Sequence, residues 1–429
     1  MALAKTTKVT NPMEKRRYQF IVLGITIMMF LGTVYSYSVF RVSLEDVFMI
    51  GSALSGLPYM FALAFYAVFM LIIGKYMRDY HPRTLLFVGG YLVAFSWILS
   101  SFVGNIYVLT LTYGLIGGAG VGIAYGVIMN IIAQWFPDKK GLATGLVLLG
   151  FGLSPLVTAP LARTLVESFG VMETFLILGM SFAIILPFLS IPIRYPEQTD
   201  LTHINVPKTD HSTEHNLTTK EMLATSSFKG VYFTFIIGTI IGLMLIGLTT
   251  SVGLDYFNLD ADTVTLFVSL FAIFNGLGRP TFGYITDHVS TKFAMVLSYT
   301  LIITAALLVI LFNQFPFIYV ISFAIFWFNL GGWLAIAPTS TLKLFGLWHY
   351  SQNYGVIFTA YGIGAIIGVL SSGLLLDLFG HYEYIFYYII ALAVVGLILI
   401  KVWMTPHANN KIVVNSAIND FIDLCFECI

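Results

Sequence analysis

Apolar residues in this chain gather into twelve long runs: 18–41, 52–74, 84–103, 107–134, 141–166, 172–193, 230–253, 263–285, 292–312, 316–345, 352–376 and 382–404. Each reaches the roughly 20 residues that a helix needs to cross a bilayer. None alternates at the period-2 rhythm of barrel strands. The pattern predicts an all-α membrane protein with 12 transmembrane helices. Several runs exceed the bilayer thickness and predict tilted helices. No small-residue cleavage site follows the first run, so it reads as a span and not as a cleaved leader.

The longest polar stretch, residues 195–229, separates six runs from six. It contains Pro196, Pro207, His203, His211 and His215, and reads as a solvated linker, not as a metal cluster. The chain therefore divides into an N-terminal segment (1–17), a six-helix half (18–194), the linker (195–229), a second six-helix half (230–404) and a tail (405–429). Charge sets the orientation. Of the 21 Lys and Arg, all but Arg41, Arg163 and Arg279 fall in or beside segments on the same side as the N-terminus. This positive-inside bias places both termini in the cytoplasm, and the plasma membrane is the expected location of this multi-pass chain.

The halves repeat. A shift of 210 residues brings Gly145 onto Gly355, Gly152 onto Gly362, and Phe169 and Gly170 onto Phe379 and Gly380. A similar offset aligns the loop from Gly74 to Asp79, followed by Arg83, with the loop from Gly283 to Asp287, followed by Lys292. In both, a glycine lets a helix end turn tightly. The carboxylate can then bond a neighbouring helix terminus or basic group. Asp79, Arg83, Asp287 and Lys292 are the expected gating residues, whose contacts break as the halves move.

Composition sharpens this picture. Only 10% of residues are charged and mean hydropathy is +0.89, against about 25% charged in a soluble domain. Net charge is zero, which leaves no footprint for nucleic acid. Cys425 and Cys428, the only cysteines, form a lone CxxC without a second ligand pair, so no metal is expected. There is no HExxH, GxSxG or P-loop, so neither enzymatic chemistry nor a resident cofactor is expected. A gradient or an exchange must supply the energy. A monomer is the default state, since each chain holds a complete path.

An ionisable group inside a span is costly and marks function. Arg279 stands alone in its span, about 7–8 Å from the centre, with no acidic residue within a turn. An unpaired guanidinium there is suited to a carboxylate. The competing reading is snorkelling to the cytoplasmic face, toward Asp287. Asn275 lies one turn earlier on the same face. Tyr35, Tyr125, Trp327 and Tyr361 carry OH or NH tips on rings that wall off water. These six are the candidate substrate-binding residues.

Four stretches are distinctive: LGTVYSYSVFRVSLEDVF in span 1, WFPDKKGLATG leading into span 5, NGLGRPTFGYITD in span 8 and NYGVIFTAYGIGAIIG in span 11. Together they resemble the oxalate/formate antiporter family of the major facilitator superfamily, close to the monocarboxylate (lactate) transporters. The resemblance implies the major facilitator fold, with the site between the halves near the bilayer midplane, and a carboxylate substrate. It places Arg279 at the family's carboxylate-binding position, Tyr35 and Tyr125 among the cavity tyrosines, and Asn275 at a pocket polar position. Tyr361 stands where oxalate exchangers carry a lysine, which favours a monoanion such as lactate, pyruvate or formate over oxalate. The outer end of span 5, GVMETF, also lacks the family's Trp-Arg pair.

The expected function is therefore proton-coupled transport of a small monocarboxylate, with oxalate/formate-type anion antiport as the alternative. The implied partners are the carboxylate, a proton or counter-anion, and the lipid bilayer. Asp255, at the outer end of span 7, is the candidate proton site. A nutrient receptor has little signalling surface to work with here, and a cation-exporting pump lacks an acidic pocket.

Overall fold

The computed structural model describes residues 12–77, 79–137, 139–197 and 216–404. The three linker histidines and both cysteines singled out above lie outside the described residues. Among the described residues, twelve helices are long and apolar enough to cross a membrane. We number them α1 (Arg17–Ser36), α2 (Leu57–Tyr76), α3 (Pro82–Ser100), α4 (Ile106–Trp135), α5 (Leu142–Phe169), α6 (Val171–Ser190), α7 (Ser226–Tyr256), α8 (Asp262–His288), α9 (Thr291–Phe312), α10 (Pro316–Phe345), α11 (Tyr350–Leu376) and α12 (Glu383–Trp403).

The sequence sets these boundaries locally. Asn105, Asp260 and Ser290 cap α4, α8 and α9 by accepting hydrogen bonds from backbone N–H groups three residues on, as short polar side chains do at helix starts. His81 caps α3 and is followed by Pro82 in the first turn. Gly380 ends the α11 helix in a left-handed conformation. Pro155, Pro160, Pro187, Pro280 and Pro338 all lie inside helices, which membrane helices tolerate when neighbours satisfy the freed carbonyls.

Each half packs in the same way. In the first, α1 lies on α5, α2 on α4 and α3 on α6. In the second, α7 lies on α11, α8 on α10 and α9 on α12. The halves then meet along two lines, α5 on α8 and α2 on α11, which the repeat relates to each other. Glycine makes both close. A Cβ on Gly145 would sit 2.9 Å from the Pro280 Cα, and one on Gly152 would sit 2.8 Å from the Gly276 Cα. On the other line, Gly355 would come within 3.1 Å of the Leu71 Cα and Gly362 within 2.9 Å of the Ala67 Cβ. Gly145 and Gly152, and their counterparts Gly355 and Gly362 at an offset of 210, are thus points at which the halves touch, whereas the recurring Gly170 and Gly380 end helices.

Large apolar side chains such as Phe95, Ile184, Leu311 and Ile398 are exposed on α3, α6, α9 and α12. These helices form the flanks of the bundle, where lipid replaces water. The end of the linker docks on the second half. Leu217 N–H donates to the Phe345 carbonyl (3.0 Å), and Asn353 at the start of α11 donates to the Leu217 carbonyl (2.9 Å). A short helix, Thr219–Ala224, follows. Its capping box joins Thr218 and Glu221, and Met222 is buried beneath it.

Candidate functional site

Arg279 lies on α8 with its side chain wholly excluded from solvent. Its Nη2 donates to Asn275 Oδ1 at 3.1 Å. Asn275 in turn donates through Nδ2 to the Trp327 carbonyl on α10 at 3.0 Å, which fixes the amide and aims its oxygen at the arginine. Arg279 Nε and Nη1 have no hydrogen-bond partner. The snorkelling alternative is not what the geometry gives: the guanidinium is turned into the protein.

The first half supplies the opposite wall. Phe151 of α5 presents its ring to the guanidinium, centroid to Cζ 5.4 Å, within cation–π range. Tyr35 meets Phe151 edge-on at 5.1 Å. The Tyr35 hydroxyl lies 2.8 Å from the Tyr361 hydroxyl of α11, a hydrogen bond that joins the two halves directly. Tyr125 of α4 packs on Phe151 and on Phe358 of α11, at 5.7 and 5.6 Å. Tyr66 of α2 lies against both Tyr125 and Tyr361. The hydroxyls of Tyr35, Tyr125, Tyr354 and Tyr361 are all within electrostatic reach of Arg279.

Five of the six predicted binding residues therefore surround one point. The sixth, Trp327, touches the site through its carbonyl, because its indole N–H is taken by Thr249 Oγ1 of α7 at 3.0 Å. Thr249, Phe151, Tyr66, Tyr354 and Phe358 were not singled out from the sequence. Of these only Phe151 carries a local signal, since it lies between Gly150 and Gly152 on the close face of α5.

A buried cation with two unbonded nitrogens is costly to hold. A small anion offsets that cost, and a carboxylate matches the guanidinium edge with two parallel bonds. The site thus suits one small anion, enclosed by aromatic rings from both halves.

The sequence profile of the Major Facilitator Superfamily matches residues 21–254 and again 231–417. The chain belongs to the Major Facilitator Superfamily. It is similar to the oxalate:formate antiporter of Oxalobacter formigenes, with 29% identity over 82% of this chain and 83% of that one. It is also similar to monocarboxylate transporter 12 of Xenopus laevis, with 25% identity over 72% of each. Monocarboxylate transporter 9 of Gallus gallus matches at 35%, but over only 24% of this chain and 20% of its own.

In this transporter the residues expected to gate lie at the loops, apart from the aromatic cluster. Lys343, at the end of α10, donates to the carbonyls of Thr286 (2.9 Å) and Asp287 (3.1 Å). The last turn of α8, which leads on to Lys292, is thus tied to α10 by a lysine that sequence reading passed over. In the first half Asp79 is exposed, and the Arg83 N–H bonds His81 Nδ1 at 3.3 Å in the first turn of α3. Asp255 accepts a hydrogen bond from the Tyr382 hydroxyl at 2.8 Å. It lies about 9 Å along α7 beyond Thr249, so its described contacts hold it at the helix end, away from Arg279.

Proposed function

We propose that this transporter carries small monocarboxylates of the lactate, pyruvate or formate type by alternating access, without enzymatic turnover. The observation that carries the reading is Arg279: fully buried, held by Asn275 and left with two unbonded nitrogens at the meeting point of the halves. Substrate enters when the halves part on one side. Its carboxylate bonds Arg279, and closure of the aromatic wall excludes water. The halves then part on the other side. The names of the similar proteins, an oxalate:formate antiporter and monocarboxylate transporters, support a carboxylate substrate.

The monoanion neutralises Arg279, so the empty carrier is positive there. Its return then calls for a proton or a counter-anion, and we favour proton coupling, with Asp255 as the candidate site. Asp79, Arg83, Asp287 and Lys292 remain the proposed gating set, now with Lys343. The transporter acts as a monomer in the plasma membrane, both termini cytoplasmic.

The test is a reconstituted vesicle holding a pH-sensitive dye, with lactate added outside and leak subtracted using vesicles that carry Arg279→Ala. Saturable internal acidification supports the proposal. Exchange of labelled lactate against trapped lactate, without acidification, points to antiport. The absence of both signals would refute a lactate-type substrate.

Oxalate/formate-type exchange is the second reading, favoured by the 82% coverage of the antiporter match. Tyr361→Lys would add a second positive charge beside Tyr35. Under the monoanion reading, oxalate uptake rises in this variant from a low base. If the unaltered protein already prefers oxalate, the charge-count argument fails.

A further inference from the structure

The geometry points to Tyr354 as a specificity-determining residue that, with Tyr125, reads an oxygen next to the substrate carboxylate; this rests on the carboxylate reading above. Tyr354 lies in the second turn of α11 and Tyr125 on α4, so the pair comes from opposite halves. Both hydroxyls are buried and neither makes a hydrogen bond of good geometry. They nonetheless interact with each other, and each lies within electrostatic reach of Arg279.

Such a pair is unusual. A buried hydroxyl without a partner forfeits its hydrogen bond, and native proteins hold few. The neighbours show why these two cannot relax toward other groups. Tyr354 stacks on Tyr350 with centroids 5.6 Å apart and planes 9° from parallel, and meets Phe358 edge-on at 5.6 Å. Tyr125 is held between Tyr66, Phe151 and Phe358. Gly355, the next residue after Tyr354, rests on the main chain of α2 and so fixes the height of Tyr354 against the first half. The rings are locked, and the two hydroxyls lie close to each other with neither in a well-formed hydrogen bond.

Two phenol donors that converge from opposite sides suit one acceptor oxygen. Arg279 takes the carboxylate. The phenols then meet an oxygen on the adjacent carbon, as in a 2-hydroxy or 2-oxo acid. A simple aliphatic acid leaves both phenols unpaired in the closed site. A site built to bond a hydroxyl rejects the analogue that lacks it far more strongly than an apolar pocket rejects one methylene. The same contact ties the halves together around the right substrate, so it favours closure as well as binding.

Lactate and propionate differ in the 2-hydroxyl alone, and intrinsic fluorescence titration of the purified full-length protein with each measures binding without membrane leak. The unaltered protein is expected to bind lactate at least about tenfold more tightly than propionate. In Tyr354→Phe, lactate affinity falls by about the same factor while propionate affinity stays within about twofold, which also shows that the variant is folded. Tyr125→Phe shifts the ratio in the same direction. Equal affinities in the unaltered protein would overturn the inference and leave the carboxylate reading standing. Equal losses for both acids in Tyr354→Phe would overturn it too, since they mark a structural role. Binding of neither acid to the unaltered protein would end both readings together.

Discussion

The amide of Asn275 stands between Arg279 and Trp327, accepting from the Arg279 guanidinium at 3.1 Å while donating to the Trp327 carbonyl at 3.0 Å. Since both its bonds are directional, it acts as a rigid spacer. It engages one hydrogen of Nη2 and leaves Nε, Nη1 and the second Nη2 hydrogen to a ligand.

That geometry predicts opposite effects of Arg279→Ala on function and stability. Saturable transport is lost, because no other described cation lies among the rings. Thermal stability in detergent is unchanged or raised, because removing a buried, unpaired charge relieves a desolvation cost. A large fall in the melting midpoint would show that Arg279 is part of the scaffold. Arg279→Lys keeps the charge but loses the two-pronged edge, so affinity falls by at least about tenfold.

Asn275→Asp places a carboxylate against Nη2. An internal ion pair then competes with the substrate, and binding falls by about a hundredfold, equivalent to about 2.7 kcal/mol. Asn275→Ala is milder. It frees the guanidinium to shift and weakens binding by about tenfold, as loss of one hydrogen bond to a charged group does. Titrations of the two variants side by side check the order.

Gly152→Ala brings a methyl to 2.8 Å from both the Gly276 Cα and Asn275 Oδ1. Overpacking of this kind costs about 1–3 kcal/mol. The expected result is a lower melting midpoint, with a weaker site because Asn275 is displaced. Gly247→Ala, where a Cβ meets nothing within 4 Å, is the matched control and leaves both unchanged.

The docked end of the linker should respond to acid. The Thr218 backbone and side chain both donate to the Glu221 carboxylate, holding its pKa below the ordinary value of 4.5. A depressed carboxylate pKa means that the capping box contributes fully above about pH 4.5. It is lost as pH falls through the lower, folded value. Protease cleavage between Asn216 and Ala224 should accelerate in that acid window, and Glu221→Gln should abolish the pH dependence.

Much of this molecule was legible in the sequence because lipid imposes simple rules. A span must be about 20 apolar residues long, so the twelve helices could be counted. A charge inside a span is rare, so Arg279 stood out, and Asn275 followed from the helical turn. The rest of the wall did not stand out. Tyr66, Phe151, Tyr354 and Phe358 belong to a chain with 24 Tyr and 37 Phe, and spacing along one helix says nothing of which rings meet across two halves. Trp327 was legible as a polar-tipped ring, but the partner of its N–H, Thr249, is 78 residues away. Lys343 was counted only as part of the charge bias, since its bonds to the last turn of α8 are to carbonyls that every residue carries.

The glycine-lined seams have a thermodynamic consequence. Along α5–α8 and α2–α11, glycines let the main chain of one half rest on the other on either side of the aromatic cluster. These seams act as bearings: tilting one half over the other resets few rotamers there, so little side-chain entropy is gained or lost. The two orientations can then lie close in free energy. Their balance falls to the bonds that join the halves, among them the Arg163–Asp262 ion pair at the outer end, Tyr35 to Tyr361 and Arg279 to whatever anion it holds. A low-friction seam thus lets a single small ion tip a structure of 429 residues.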